Sequence, residues 1–208
     1  MKNIAVLVSG GGTNLQALID AQNRGEIHNG KITCVISSNP NAYALTRAES
    51  NNIPTEVIRR KDYNEFDEYD NALTNLLKAK EIDVVVLAGF MTILGNKVIS
   101  AFENRIINIH PSLIPSFCGE GYYGLKVHEE ALKKGVKVTG ATAHFVNEIC
   151  DGGPIIIQKA VEIQNGDTPE VLQKRVMEQA EWKILPKAVS LFCEDKIKVT
   201  DNKTEILD

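Results

Sequence analysis

A chain of 208 residues with 43% hydrophobic and 24% charged side chains is long enough for one sizeable core, and no Pro/Gly/Ser-rich linker divides it. Its net charge of -4 and pI of about 5.7 give no electrostatic footprint for nucleic acid or an anionic membrane. No apolar run reaches the roughly 18 residues of a membrane span, and the four cysteines, Cys34, Cys118, Cys150 and Cys193, form no Cys-x-x-Cys pair that would point to zinc or a disulfide framework.

Met1-Lys2-Asn3 leads straight into a strand-like run with no small-residue cleavage site, so a cytoplasmic protein is expected. Ile4 to Val8 is a continuous branched run suited to a strand covered on both faces, and Ser9-Gly10-Gly11-Gly12-Thr13-Asn14 follows it directly. Leu15, Leu18 and Ile19 then recur at helical spacing, with Thr13 or Asn14 as the expected cap. Strand, glycine turn and helix start make an anion site, because bare N–H groups and the helix dipole face the turn. There is no Gly-Lys-Ser/Thr ending, and Leu15 replaces the third glycine of a dinucleotide fingerprint. A single phosphate on a small substrate fits; the alternative is a turn that binds nothing.

Ile32 to Ile36 reads as a second strand, Ala42 to Ser50 as a helix and Thr55 to Ile58 as a short third strand. Asp62 to Lys80 carries Phe66, Tyr69, Leu73, Leu76 and Leu77 at helical intervals, a core-packing stripe. Asp83 to Phe90 is a buried strand, and Met91-Thr92-Ile93-Leu94 leaves its carboxyl end as apolar surface for a flat ligand. Strands alternating with helices imply right-handed βαβ units.

Arg105-Ile106-Ile107 leads into Asn108-Ile109-His110-Pro111-Ser112-Leu113-Ile114-Pro115. Side chains two apart on a strand leave from one face, so Asn108 and His110 point together. Pro111 has no N–H to continue the ladder, which stops the strand at the imidazole. In open α/β sheets that carboxyl edge is where ligands bind. An amide donor beside a titratable ring suits chemistry in which an oxyanion forms and a proton moves; strand-end residues capping a turn are the alternative. Ser116 to Gly124 reads as a mobile loop, Val127 to Lys134 as a helix and Val138 to Val146 as a strand whose His144 is a core histidine. Asn147 to Pro154 is a long turn in which Asp151 before Gly152-Gly153 is ordinary turn chemistry. Ile155 to Ile163 is then an antiparallel strand, Thr168 to Glu194 a long helix bent at Pro186, and Ile197 to Thr200 a last edge strand.

Over nearly its whole length the chain resembles the phosphoribosylglycinamide formyltransferase family. The resemblance rests on strand-Ser-Gly-Gly-Gly-Thr-Asn-Leu-Gln-Ala, Leu-Ala-Gly-Phe-Met, Asn-Ile-His-Pro-Ser-Leu-Ile-Pro and Asp-Gly-Gly-Pro, in that order. It implies the formyltransferase fold, a three-layer α/β sandwich with a mostly parallel, Rossmann-like sheet and antiparallel strands added at the C-terminal side, in one domain spanning 1–208. It implies transfer of a formyl group from 10-formyltetrahydrofolate, as co-substrate and without a metal, to the amine of glycinamide ribonucleotide. Asn108, His110 and Asp151 then occupy catalytic positions, and Asp151 is expected to raise the His110 pKa. Gly12, Thr13 and Asn14 hold the substrate phosphate, with Glu178 and Glu181 as rival further contacts to the ribonucleotide. The folate lies along Met91, Thr92, Ile93 and Leu94, beside Asn108, and against Asn147, Glu148, Ile149, Cys150 and Asp151. Thr92 stands where an arginine is common in the family.

The expected partners are the two small substrates, with no nucleic acid or membrane, in a monomer or weak homodimer. Methionyl-tRNA formyltransferase shares related motifs but resembles a longer chain with a basic RNA-binding domain. Formyltetrahydrofolate deformylase delivers the formyl group to water with the same three residue types, usually behind an N-terminal regulatory domain. A nucleotide-binding module using only the glycine loop leaves the other motifs without a role.

Overall fold

The computed structural model describes all 208 residues. Its first half alternates strand and helix: β1 (Lys2–Val8), α1 (Thr13–Asn23), β2 (Gly30–Ser37), α2 (Tyr43–Glu49), β3 (Thr55–Val57), a 3-10 turn at Arg60–Asp62, α3 (Phe66–Ala79), β4 (Val84–Leu87), α4 (Asn96–Ala101) and β5 (Ile106–His110). There follow α5 (Leu125–Lys134), β6 (Val138–Phe145), β7 (Ile155–Glu162), α6 (Pro169–Val176), a π-helical turn at Met177–Glu181, α7 (Trp182–Cys193), β8 (Ile197–Thr200) and β9 (Lys203–Ile206).

Seven strands form one sheet in the order β3-β2-β1-β4-β5-β6-β7. The first five in that order run parallel, and β6 and β7 add on antiparallel. Alternate side chains of β1 explain the three layers. Ile4, Val6 and Val8 pack with Leu15, Leu18, Leu172, Leu185 and Val189 on one side, whereas Ala5 and Leu7 pack with Tyr69, Leu73, Leu77 and Val98 on the other. Strand order reverses between β1 and β4, so the connections after them diverge and leave a crevice at the carboxyl edge. Its lips are tied by the Ser9 hydroxyl, which accepts the Met91 N–H at 2.9 Å and lies 2.6 Å from the Ser38 hydroxyl.

One expectation about the tail is corrected and one feature is added to it. The long helix is interrupted by the π turn at Met177–Glu181, and Pro186 lies inside α7. Pro186, which follows the π turn by one helical turn, has no N–H to give the Trp182 carbonyl. Ile197 to Thr200 does not extend the main sheet: β8 pairs only with β9, as a separate two-stranded hairpin.

Candidate active site

Asn108 and His110 leave the same face at the end of β5 and lie opposite His144 and Thr142 of antiparallel β6. Four polar side chains thus share one patch of an otherwise apolar sheet. The His110 ring is buried, and its Nε2–H donates to the Phe117 carbonyl at 2.8 Å. A carbonyl only accepts, so the other nitrogen, Nδ1, is the one left to face Asp151 Oδ2 at 3.5 Å. His144 Nδ1–H donates to the Phe145 carbonyl at 2.8 Å, which leaves Nε2 to accept from the Asn108 amide at 3.2 Å. That contact sets the Asn108 amide with its NH2 toward the site, one hydrogen on His144 and the second free for a substrate oxygen.

Asp151 arrives from the turn between β6 and β7, with a φ of 54° in the left-handed region. Its Oδ2 accepts the Gly119 N–H at 2.8 Å, and its Oδ1 lies 3.5 Å from His144 Nε2. Burial pushes the Asp151 carboxyl up, but His144 and His110 in their protonated forms, with the Gly119 N–H, outweigh it and hold the group below its ordinary value. For His110 the balance goes the other way. Burial is the largest influence and lowers the imidazole; Asp151 and the Phe117 carbonyl pull it up without restoring it. The expectation that Asp151 raises this pKa is therefore right for its own contribution and wrong for the sum, because a ring so enclosed loses more hydration than one carboxylate at 3.5 Å returns.

The glycine loop opens α1 with Gly12 as N-cap, φ 72°, and no side-chain cap from Thr13 or Asn14. Asn14 turns its amide instead to the buried Glu181, donating to Oε2 at 2.8 Å. Burial raises Glu181 to about 7, with Asn14 pulling modestly the other way. Glu181 is buried at the end of the π turn. Glu178, three residues earlier, is about half exposed and lies 3.9 Å from Lys174 on the outer surface.

Met91 and Ile93 are exposed beside the crevice, as is Ile149 on the Asp151 turn, an apolar surface of the kind that marks a ligand site. Leu94 departs from expectation: it is buried against α3 and α4. Asn147 accepts the Ile149 N–H at 3.0 Å and shapes the turn, while Glu148 and Cys150 are exposed on it. His144, expected as a core histidine, is buried and hydrogen-bonded, and its place beside Asn108 was the part not foreseen. Laying β6 antiparallel against β5 in register would have set it opposite Asn108. His110, His144 and Asp151 meet here, but no group of three or more His, Cys, Asp or Glu side chains is arranged to hold a metal ion.

The formyl transferase family profile matches residues 2–189. The phosphoribosylglycinamide formyltransferase of Haemophilus influenzae is 43% identical over 202 residues, covering 97% of this chain and 92% of that protein. The human trifunctional purine biosynthetic protein adenosine-3 is 44% identical over 199 residues, covering 96% of this chain and 19% of that much longer one. The crystal structure of glycinamide ribonucleotide transformylase 1 from Symbiobacterium toebii superposes with a TM-score of 0.94 at 41% identity, covering 100% of this chain and 95% of that one.

Proposed function

The chain belongs to the formyl transferase family, as a phosphoribosylglycinamide formyltransferase of purine biosynthesis, and we propose that Asn108, His110 and Asp151 carry its transfer of the formyl group from 10-formyltetrahydrofolate to the amine of glycinamide ribonucleotide. The observation that supports this most is their convergence at one sheet edge, between a helix-opening glycine loop and an exposed apolar surface.

Attack of the neutral amine on the formyl carbon makes a tetrahedral centre with a negative oxygen and a positive nitrogen. The free hydrogen of the Asn108 amide donates to that oxygen. The neutral His110 ring, with Asp151 beside Nδ1, takes the proton lost by the attacking nitrogen, and the resulting imidazolium gives it to the departing folate nitrogen as the carbon–nitrogen bond breaks. Protons balance, and the ring ends neutral. In this reading the amides of Gly12, Thr13 and Asn14 receive the ribonucleotide phosphate. Glu181, not Glu178, completes the ribonucleotide site. The folate ring lies on Met91, Thr92, Ile93 and the Asn147 to Asp151 turn, and residues 1–208 act as one cytoplasmic domain, monomeric or weakly dimeric.

Turnover of 10-formyltetrahydrofolate, followed spectroscopically with and without glycinamide ribonucleotide, tests the reading. Transfer predicts consumption that depends on the ribonucleotide. Equal consumption without it means delivery to water, the deformylase reaction.

A further inference from the structure

The C-terminal hairpin, which lies beyond the residues matched by the family profile, reaches the active-site turn. β8 and β9 are joined by Asp201 and Asn202, with φ of 50° and 58°, the left-handed pair that a tight type I′ connection requires and that Asp and Asn tolerate. Ile197 and Val199 pack against the core and fix the hairpin's position. From its tip, Asn202 Nδ2 donates to the Gly152 carbonyl at 3.1 Å; two residues on, the Thr204 hydroxyl donates to the Ile155 carbonyl at 2.6 Å.

The segment so clasped directly follows Asp151, whose own left-handed backbone persists only where its surroundings hold it. On the inner side Gly153 sits so close to the Phe145 carbonyl that a Cβ has no room, and Phe145 N–H donates to the Pro154 carbonyl at 2.8 Å. On the outer side the Gly152 carbonyl has two donors, Asn202 and, at 3.4 Å, Asn147. The turn is gripped between β6 and the hairpin.

We propose that Asn202 is a positioning residue for Asp151: through the Gly152 carbonyl, the C-terminal hairpin holds the backbone that aims the Asp151 carboxylate at His110 and His144. This rests on the assignment of Asp151 to catalysis. Asn202 touches no reacting atom, and its effect passes entirely through the carboxylate.

The test is a double-mutant cycle in the full chain. Asn202→Gly removes the amide while keeping a residue at ease with positive φ, and Thr204→Val removes the neighbouring donor as an independent second variant. Loss of one such hydrogen bond is expected to lower kcat about twofold to tenfold, with the KM for ribonucleotide unchanged. In an Asp151→Asn background the same substitutions should leave kcat where it was, since no carboxylate remains to aim. Equal factors in both backgrounds, or no loss in the native background, overturn the proposal. An Asp151→Asn protein with full turnover instead overturns the assignment of Asp151, and the positioning role with it.

Discussion

Asp151 Oδ2 and His110 Nδ1 stand 3.5 Å apart in a pocket that leaves only 5% of the imidazole side chain exposed. Enclosure therefore sets the ring's resting state, and the carboxylate sets how much that state costs to leave. With its pKa below the ordinary 6.5, the ring is neutral at pH 7, the state that the proposed base role requires.

The sign of the pH dependence follows. A base works unprotonated, so kcat/KM falls as pH drops through the lowered imidazole pKa, and the acid limb of the free enzyme lies below 6.5. Asp151 is the largest influence raising that pKa, so Asp151→Asn shifts the limb further to acid. A limb above 6.5, or one that moves to alkaline pH in Asp151→Asn, contradicts this account.

Glu181 gives a stability prediction of its own. A carboxyl raised to about 7 by burial binds its proton more tightly folded than unfolded, so its contribution to stability is present below 4.5 and is lost as pH rises through 7. Glu181→Gln keeps an acceptor for Asn14 and removes the titration. Thermal melting should show the variant gaining on the native protein between pH 5 and pH 8, by roughly 2–4 °C per kcal/mol for a domain of this size. Parallel melting curves across that range would mean that the carboxyl is not buried as described.

Gly12 is the backbone test of the phosphate loop. Its φ is 72°, and a Cβ there would lie 2.6 Å from the Ala44 side chain. Gly12→Val should weaken ribonucleotide binding about tenfold or more by displacing the first-turn amides, while folate binding, measured by fluorescence titration, stays near native. Equal loss of both would place the defect in folding.

The readable parts of the sequence were those where one physical requirement dominates. β1 and β4 are branched runs because both faces are buried, and Pro111 stops β5 after His110 because it lacks a donor. The motif pair Asn108 and His110 was legible for that reason. Asp151 was not legible on its own, since Asp before two glycines satisfies a turn equally well. His144 was read as core because alternation gives the face but not the strand across from it. Leu94 was read as exposed apolar surface, but its side chain is buried in the cluster that α3 and α4 share, a tertiary contact without a local signature. The π turn at Met177–Glu181, which ends on the buried Glu181, leaves no mark in the helical periodicity.

His144 fixes the Asn108 amide through its Nε2 at 3.2 Å. His144→Ala removes that acceptor and leaves the amide free to rotate, so kcat should fall about tenfold or more, the usual scale for disturbing a buried hydrogen bond to an oxyanion donor. Steady-state kinetics should show the KM for ribonucleotide little changed. A fall in ribonucleotide affinity with kcat intact would place His144 in binding instead.

The most direct measurement of the central claim is the turnover number of His110→Ala, Asp151→Asn and the double variant, with both substrates saturating. The account predicts that each single change lowers kcat about 100-fold or more, and that the double variant is scarcely worse than His110→Ala, because without the ring the carboxylate has nothing to act on. An Asp151→Asn enzyme with native turnover and a native pH profile would contradict it, leaving Asp151 as a turn residue and Asn108 with His110 as the whole of the catalytic machinery.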